Sequence, residues 1–180
     1  MKRRAVVTVV ALVATAALLN SCGSGVSSTS QSQQHSTSAA EASLRAQGFT
    51  KVTLRLRHAD GTVDEHCVWL ADTEVERNRG LMEVTDPSLG GGEAMVFAFD
   101  ADTSAAFWMK DTLLPLSIAW VDSSGAVVNS ANMDPCPATT KNCPQFPPGS
   151  PYRLAIEMAQ GRLQDWGIGS DVTITLAEAC

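Results

Sequence analysis

The stretch Lys51-Val52-Thr53-Leu54-Arg55-Leu56-Arg57-His58 alternates strictly, with Val52, Leu54 and Leu56 set against Thr53, Arg55 and Arg57. Successive side chains of a strand point to opposite faces, so this is the pattern of a strand with one face on a core and the other in water. Ala59-Asp60-Gly61-Thr62 follows as a turn signal, and Val63 to Leu70 supplies a partner strand, which predicts a hairpin.

Reading outward from the hairpin, one helix signal comes next. Thr73 and Glu76 have the spacing of a capping box, and the polar segment they open runs to Met82, with Arg77 and Arg79 toward its end. Gly80 and the Gly90-Gly91-Gly92 run stop it. Short apolar runs then recur at Ala94 to Phe99, Ala105 to Met109, Ser117 to Asp122 and Ala126 to Asn129, the last two joined by the turn Ser123-Ser124-Gly125. Asp134 to Pro151 is rich in Pro, Cys and Asn and reads as a loop. Tyr152 to Met158 alternates, Gln160 to Trp166 suits a helical turn, and Asp171 to Ala177 closes the chain as a strand. Short strands between regular turn signals predict a mainly β domain, an antiparallel sandwich or barrel with one or two short helices.

The first 40 residues follow different rules. Lys2, Arg3 and Arg4 precede an apolar run of 15 residues, Ala5 to Leu19, too short for a membrane span but suited to a signal-peptide core. The run ends in Leu19-Asn20-Ser21-Cys22, which resembles the bacterial lipobox, in which the cysteine is acylated (a palmitate-type anchor) and becomes the mature N-terminus. Ordinary secretion with cleavage nearby is the alternative. Gly23 to Ala40 is almost wholly Gly, Ser, Thr, Gln and Ala, with too little apolar surface to offset its ordering entropy. The expected organisation is therefore a lipoprotein signal peptide over 1–21, lipidated Cys22 and a flexible tether over 22–40, and a β domain over 41–180. That places the protein at the bacterial cell membrane, lipid-anchored on the extracytoplasmic side.

Composition bounds the class. Of 180 residues, 44% are hydrophobic and 18% charged, which suits a globular domain and excludes collagen, coiled coil and a polytopic membrane protein. The chain has 13 basic and 19 acidic residues; removing the three basic residues of the leader leaves 10 against 19, a mature charge of about −9. Nucleic acid is not an expected partner, because phosphate neutralisation needs clustered Lys and Arg. Attraction to anionic lipid is not expected either, so the acyl chains would hold the protein at the membrane.

With Cys22 assigned to the anchor, Cys67, Cys136, Cys143 and Cys180 remain. In an exported domain they predict two disulfides, with three pairings possible. Cys136 and Cys143 share one loop and form the natural local staple, which would leave Cys67 for Cys180. Neither a redox Cys-x-x-Cys motif nor zinc-finger spacing occurs.

A set of blocks carries a resemblance: Arg79-Gly80-Leu81-Met82, Ala94-Met95-Val96-Phe97, and Phe107-Trp108-Met109-Lys110-Asp111-Thr112-Leu113. It continues through Pro115-Leu116, Asp122 with Gly125, Met133-Asp134-Pro135-Cys136, Cys143-Pro144, and Tyr152 with Glu157. In order and spacing these blocks resemble the family of domains of unknown function called DUF192, or UPF0127, over roughly residues 50–178. Asp111 stands where that family usually has Asn, and Ser117 where it usually has Asp. The resemblance implies a compact β-sandwich, often exported, and no activity.

Candidate chemistry is sparse. On a strand, Ala106, Trp108 and Lys110 share one face and Phe107 and Met109 the other. Trp108 beside Lys110 makes a recognition surface, a ring to stack and a cation to pair; the opposing reading buries Trp108 in the core and lets Lys110 snorkel. Glu157 shares parity with Arg153 and Ala155 and is either a site carboxylate or an ordinary outward charge, with Arg79 as its candidate structural partner. The ligand-binding candidates are thus Arg79, Trp108, Lys110 and Glu157. A glycan, a small polar molecule or an envelope protein are the partners considered. Met82, Met95, Met109, Met133 and Met158 offer soft ligands for Cu(I), but without a Met-x-x-Met cluster they read as core gap-fillers. His58, His66 and Cys67 lack further metal ligands nearby, and Asp100 with Asp102 lacks a calcium-loop pattern. Nucleophile-elbow, Walker, dinucleotide and zincin motifs are all missing. No catalytic residue, cofactor or metal is assigned. The functional expectation is a non-catalytic binding or accessory module of the cell envelope, with envelope copper handling and a small hydrolase using Glu157 as alternatives.

Overall fold

The computed structural model describes residues 39–180; the leader, Cys22 and nearly all of the expected tether lie outside the described residues. Residues 39–46 form a helix, α1. The strands are β1 (Thr50–His58), β2 (Val63–Ala71), β3 (Ala94–Thr103), β4 (Phe107–Trp108), β5 (Leu116–Val121), β6 (Val127–Met133), β7 (Gln145–Phe146), β8 (Tyr152–Ala159) and β9 (Val172–Ala179). Helix α2 (Glu74–Arg79) and a 3-10 turn (Leu89–Gly91) lie between β2 and β3. No helix among the described residues is long and apolar enough to cross a membrane.

The expected β-rich domain with short helices is what the chain forms. Seven strands make one sheet in the order β6-β5-β8-β3-β2-β1-β9, and β4 and β7 make a small second sheet. The hairpin is in place, with Leu54 opposite His66 and Leu56 opposite Asp64. One pair departs from the antiparallel expectation: β2 and β3 run parallel, Trp69 beside Met95 and Ala71 beside Phe97. Parallel neighbours cannot be joined by a tight turn, and the crossover between them is the segment that carries α2. The capping box opens α2 as read, with Glu76 N–H donating to Thr73 Oγ1 at 3.2 Å and Thr73 N–H donating to the Glu76 carboxylate at 3.0 Å. Gly80 ends it at φ 46°.

The central strands are buried on both faces, so two apolar clusters form. One side of the sheet gathers Leu54, Leu56, Val68, Val96, Ile156 and Ile174, closed over by Leu163, Trp166 and Ile168. The other gathers Trp69, Met95, Phe97, Ile118 and Trp120 beneath Leu44 of α1 and Leu89. The Trp69 indole N–H donates to the Leu89 carbonyl at 2.6 Å, which satisfies the one polar atom of a fully buried ring.

The outer strands approach without closing a ladder. Ala126 and Thr173 make a single bridge, and Ile174 N–H donates to the Gly125 carbonyl at 2.8 Å. Gly125 has φ 88°, and a Cβ there would lie 2.7 Å from the Ile174 oxygen, so only glycine permits the contact.

Both expected disulfides are present, Cys67–Cys180 and Cys136–Cys143. The first ties β2 to the chain end beyond β9, with β1 between them in the sheet.

Candidate functional site

The block from Phe107 to Lys110 alternates as its sequence demands. Met109 is buried and Phe107 half-buried, both packed in the core beneath α1, while Trp108 is 52% exposed and Lys110 points out. The core reading of Trp108 is therefore replaced by the surface one. Lys110 Nζ lies 5.9 Å from the Trp108 ring centroid.

Backbone bonds fix this strand. Phe107 pairs with Phe146 and Trp108 with Gln145. Asp111 N–H donates to the Cys136 carbonyl at 2.9 Å, and Cys136 N–H donates to the Thr112 carbonyl at 3.2 Å. Asp111 itself adopts φ 55°, a left-handed conformation that Asn and Asp tolerate better than other side chains, and its carbonyl accepts Glu83 N–H at 2.8 Å.

Beside Trp108 opens a cleft of about 320 Å³. Phe107 meets Phe97 edge-on at 5.0 Å, and Phe99 meets Tyr152 edge-on at 5.3 Å, so the walls are aromatic. The Tyr152 hydroxyl donates to the Ala105 carbonyl at 3.0 Å, and burial pushes it up to about 12, which keeps it a neutral donor. Helix α2 forms the opposite rim with Glu74, Arg77 and Asn78. The Arg77 guanidinium lies 4.8 Å over the Phe99 ring and donates to the carbonyls of Ala98, at 2.8 Å, and of Asp72. Gly80 brings the helix end down onto Phe97, where an added Cβ would sit 3.2 Å from the ring.

The four sequence candidates do not converge. Only Trp108 lines this cleft; Lys110 is not among its lining residues and reaches it only through its contact with the Trp108 ring. Arg79 belongs to a larger depression of about 990 Å³ between α1 and residues 82–88, where Nε donates to Gln47 Oε1 at 2.6 Å and Nη2 pairs with Glu83 at 2.8 Å. Its partners are therefore not Glu157. That carboxyl sits on β8 between Met95 of β3 and Ile118 of β5, is 4% exposed, and has no partner among the described residues. Burial alone pushes it up to about 8. A hydrolase would need such a raised carboxyl beside a cavity, and Glu157 lines neither the cleft nor the larger depression.

The remaining candidates have structural surroundings. Met95, Met109 and Met133 are buried on one side of the sheet and Met158 on the other, each filling the core. His66 stacks on Trp166 with centroids 3.7 Å apart, His58 pairs with Asp64 at 2.9 Å, and Asp102 accepts from Arg153 at 2.8 Å. Among the described residues no group of three His, Cys, Asp or Glu is placed to hold a metal ion.

Sequence reasoning missed Glu74, Arg77, Asn78, Phe99 and Tyr152 as cleft residues. The signal for the first three was present, since the cap at Thr73 puts positions 74, 77 and 78 on one helix face.

No curated protein matches the chain. A protein of unknown function from Novosphingobium aromaticivorans is 27% identical with a TM-score of 0.58, covering 69% of this chain and 84% of its own. A Sinorhizobium meliloti protein, named only provisionally as a transcription regulator, is 23% identical with a TM-score of 0.56, covering 71% of this chain and 95% of its own, and shares the fold. The family model described as "Uncharacterized ACR" matches residues 55–176, a span that begins within β1 and takes in the rest of the hairpin, the capped helix, the Trp108 strand and Glu157. The chain belongs to the DUF192 family.

Proposed function

We propose that this protein is a lipid-anchored extracytoplasmic lipoprotein and a non-catalytic binding or accessory module of the cell envelope, with the Trp108 cleft as its binding surface. The observation that carries the reading is the half-exposed Trp108 at the mouth of an aromatic cleft, on a strand held by backbone bonds to a disulfide loop. A single exposed apolar side chain is ordinary, but here Trp108 continues a groove lined by Phe97, Phe99, Phe107 and Tyr152, and contiguous aromatic surface open to water marks ligand grooves. The leader ending at Cys22 supports the anchor, and four paired cysteines suit an oxidising compartment.

Two experiments test it. A strain producing Trp108→Ala at parental abundance should reproduce the envelope-stress sensitivities of a deletion strain; parental behaviour of that allele would sink the binding role. Metabolic labelling with an alkynyl palmitate analogue should mark the parent and not Cys22→Ala, and an unlabelled parent would remove the anchor.

A further inference from the structure

The walls and the rim of the Trp108 cleft differ in chemistry, and the difference narrows the ligand. The deduction rests on the binding-module reading and names its ligand class. Phe99, Phe107 and Trp108 present ring surface, while the rim carries polar groups of both signs. Arg77 spends Nη1 on two backbone carbonyls, and its Nε and Nη2 have no partner among the described residues. The Glu74 carboxylate also has none there, and Asn78 offers both a donor and an acceptor.

That combination discriminates between classes. A cationic ligand would meet Arg77 and Lys110, which already lie 4.8 and 5.9 Å from the Phe99 and Trp108 ring centroids. An anion would meet Glu74, in a domain with 10 basic and 19 acidic residues. A wholly apolar ligand would strip water from Arg77 and Glu74 without replacing its hydrogen bonds. A sugar ring lays a C–H face on an aromatic and sends hydroxyls, each both donor and acceptor, to its edge. The volume of about 320 Å³ is at the small end for ligand sites, so the cleft holds a short portion of a chain.

We infer that the cleft binds a neutral saccharide, one sugar ring stacked on Trp108 and its hydroxyls bonded by Arg77, Glu74 and Asn78. Trp108 supplies the stacking surface. The α2 rim reads hydroxyl positions, and Lys110 contacts the sugar edge that leaves the cleft.

The full chain, purified in a detergent without a sugar headgroup, is titrated with maltotriose, cellotriose, chitotriose, choline and trigalacturonate. Tryptophan fluorescence and calorimetry read the binding. At least one neutral trisaccharide should bind, with choline and trigalacturonate weaker. Trp108→Ala should lose about tenfold or more in affinity while keeping the parental circular dichroism, and Trp108→Phe should lose less. Glu74→Gln and Asn78→Ala should each weaken binding and shift preference among the neutral sugars. Binding of choline or trigalacturonate alone overturns the ligand class, and so does neutral-sugar binding unchanged in Trp108→Ala. Silence of every probe also overturns it, and the binding-module reading is then judged separately by the Trp108→Ala strain.

Discussion

Asp111 and Cys136 are joined backbone to backbone, the Asp111 N–H donating to the Cys136 carbonyl at 2.9 Å, so the disulfide loop is hydrogen-bonded to the strand that presents Trp108. What stiffens that loop stiffens the candidate site.

Replacing Cys136 and Cys143 together by Ser should therefore act locally as well as globally. A loop this short is worth about 2–3 kcal/mol in the chain-entropy model. Thermal melting should record that loss, and hydrogen exchange should show the amides of 107–112 gaining more exchange than those of β1 or β2. Equal acceleration across the domain would show that the loop does not hold the strand.

Glu157 should make stability depend on pH. Its folded value lies near 8, above the ordinary 4.5, so the folded state keeps a proton that the unfolded state has released between those values. Stability is thus greatest below the ordinary value, falls as pH rises from about 4.5 to about 8, and levels off above. Glu157→Gln should match the parent near pH 4 and melt several degrees higher at pH 8 to 9. A melting difference that stays constant across the range would show the carboxyl titrating normally.

Asp111 sits at φ 55° with Oδ1 buried and unpaired among the described residues. Asp111→Asn should be within about 1 kcal/mol of the parent, because the amide keeps the left-handed tolerance and offers a donor at the unpaired buried position while giving up a 3.8 Å contact between Oδ2 and Lys110 Nζ. Asp111→Val should cost about 1–3 kcal/mol from backbone strain. Urea unfolding of the two variants checks the order, and the reverse order would refute it.

Ser117 is buried, and its hydroxyl donates to Asn132 Oδ1 at 2.6 Å while accepting Gly161 N–H at 2.9 Å. Ser117→Ala removes both bonds, but Asn132 and Gly161 are exposed and open to water, so it should cost about 0.5–1.5 kcal/mol. A loss below the error of chemical denaturation would mean that water replaces the hydroxyl.

Local features were the legible ones. The period-two run at Lys51 and the Thr73–Glu76 spacing specify a strand and a cap from neighbouring residues alone, and both stand in the structure. Helix α1 was legible and overlooked: residues 39–46 are good helix formers, and Glu41 pairs with Arg45 at 2.9 Å one turn on. The strand order was not legible, because nothing local says that β3 lies between β2 and β8. That order also decides the candidate site. Glu157 has the parity expected of it, yet its burial comes from β3 and β5 on either side and from the packing above them. Trp108 could be read from alternation, whereas Arg77, Phe99 and Tyr152 reach the cleft from three separate elements. The two-residue strand β7 is hidden in a Pro-rich loop because its pairing is supplied by β4.

The contact between Gly125 and Ile174 has a consequence for how copies of this protein behave when crowded. An open seven-stranded sheet carries two raw edges, and each is a template on which another chain can add a strand. Here β6 and β9 are turned toward one another and joined at one end, so each edge shields part of the other's unpaired backbone. A side chain at position 125 would part them and expose both. The glycine thus guards against edge-to-edge aggregation as much as it completes a fold.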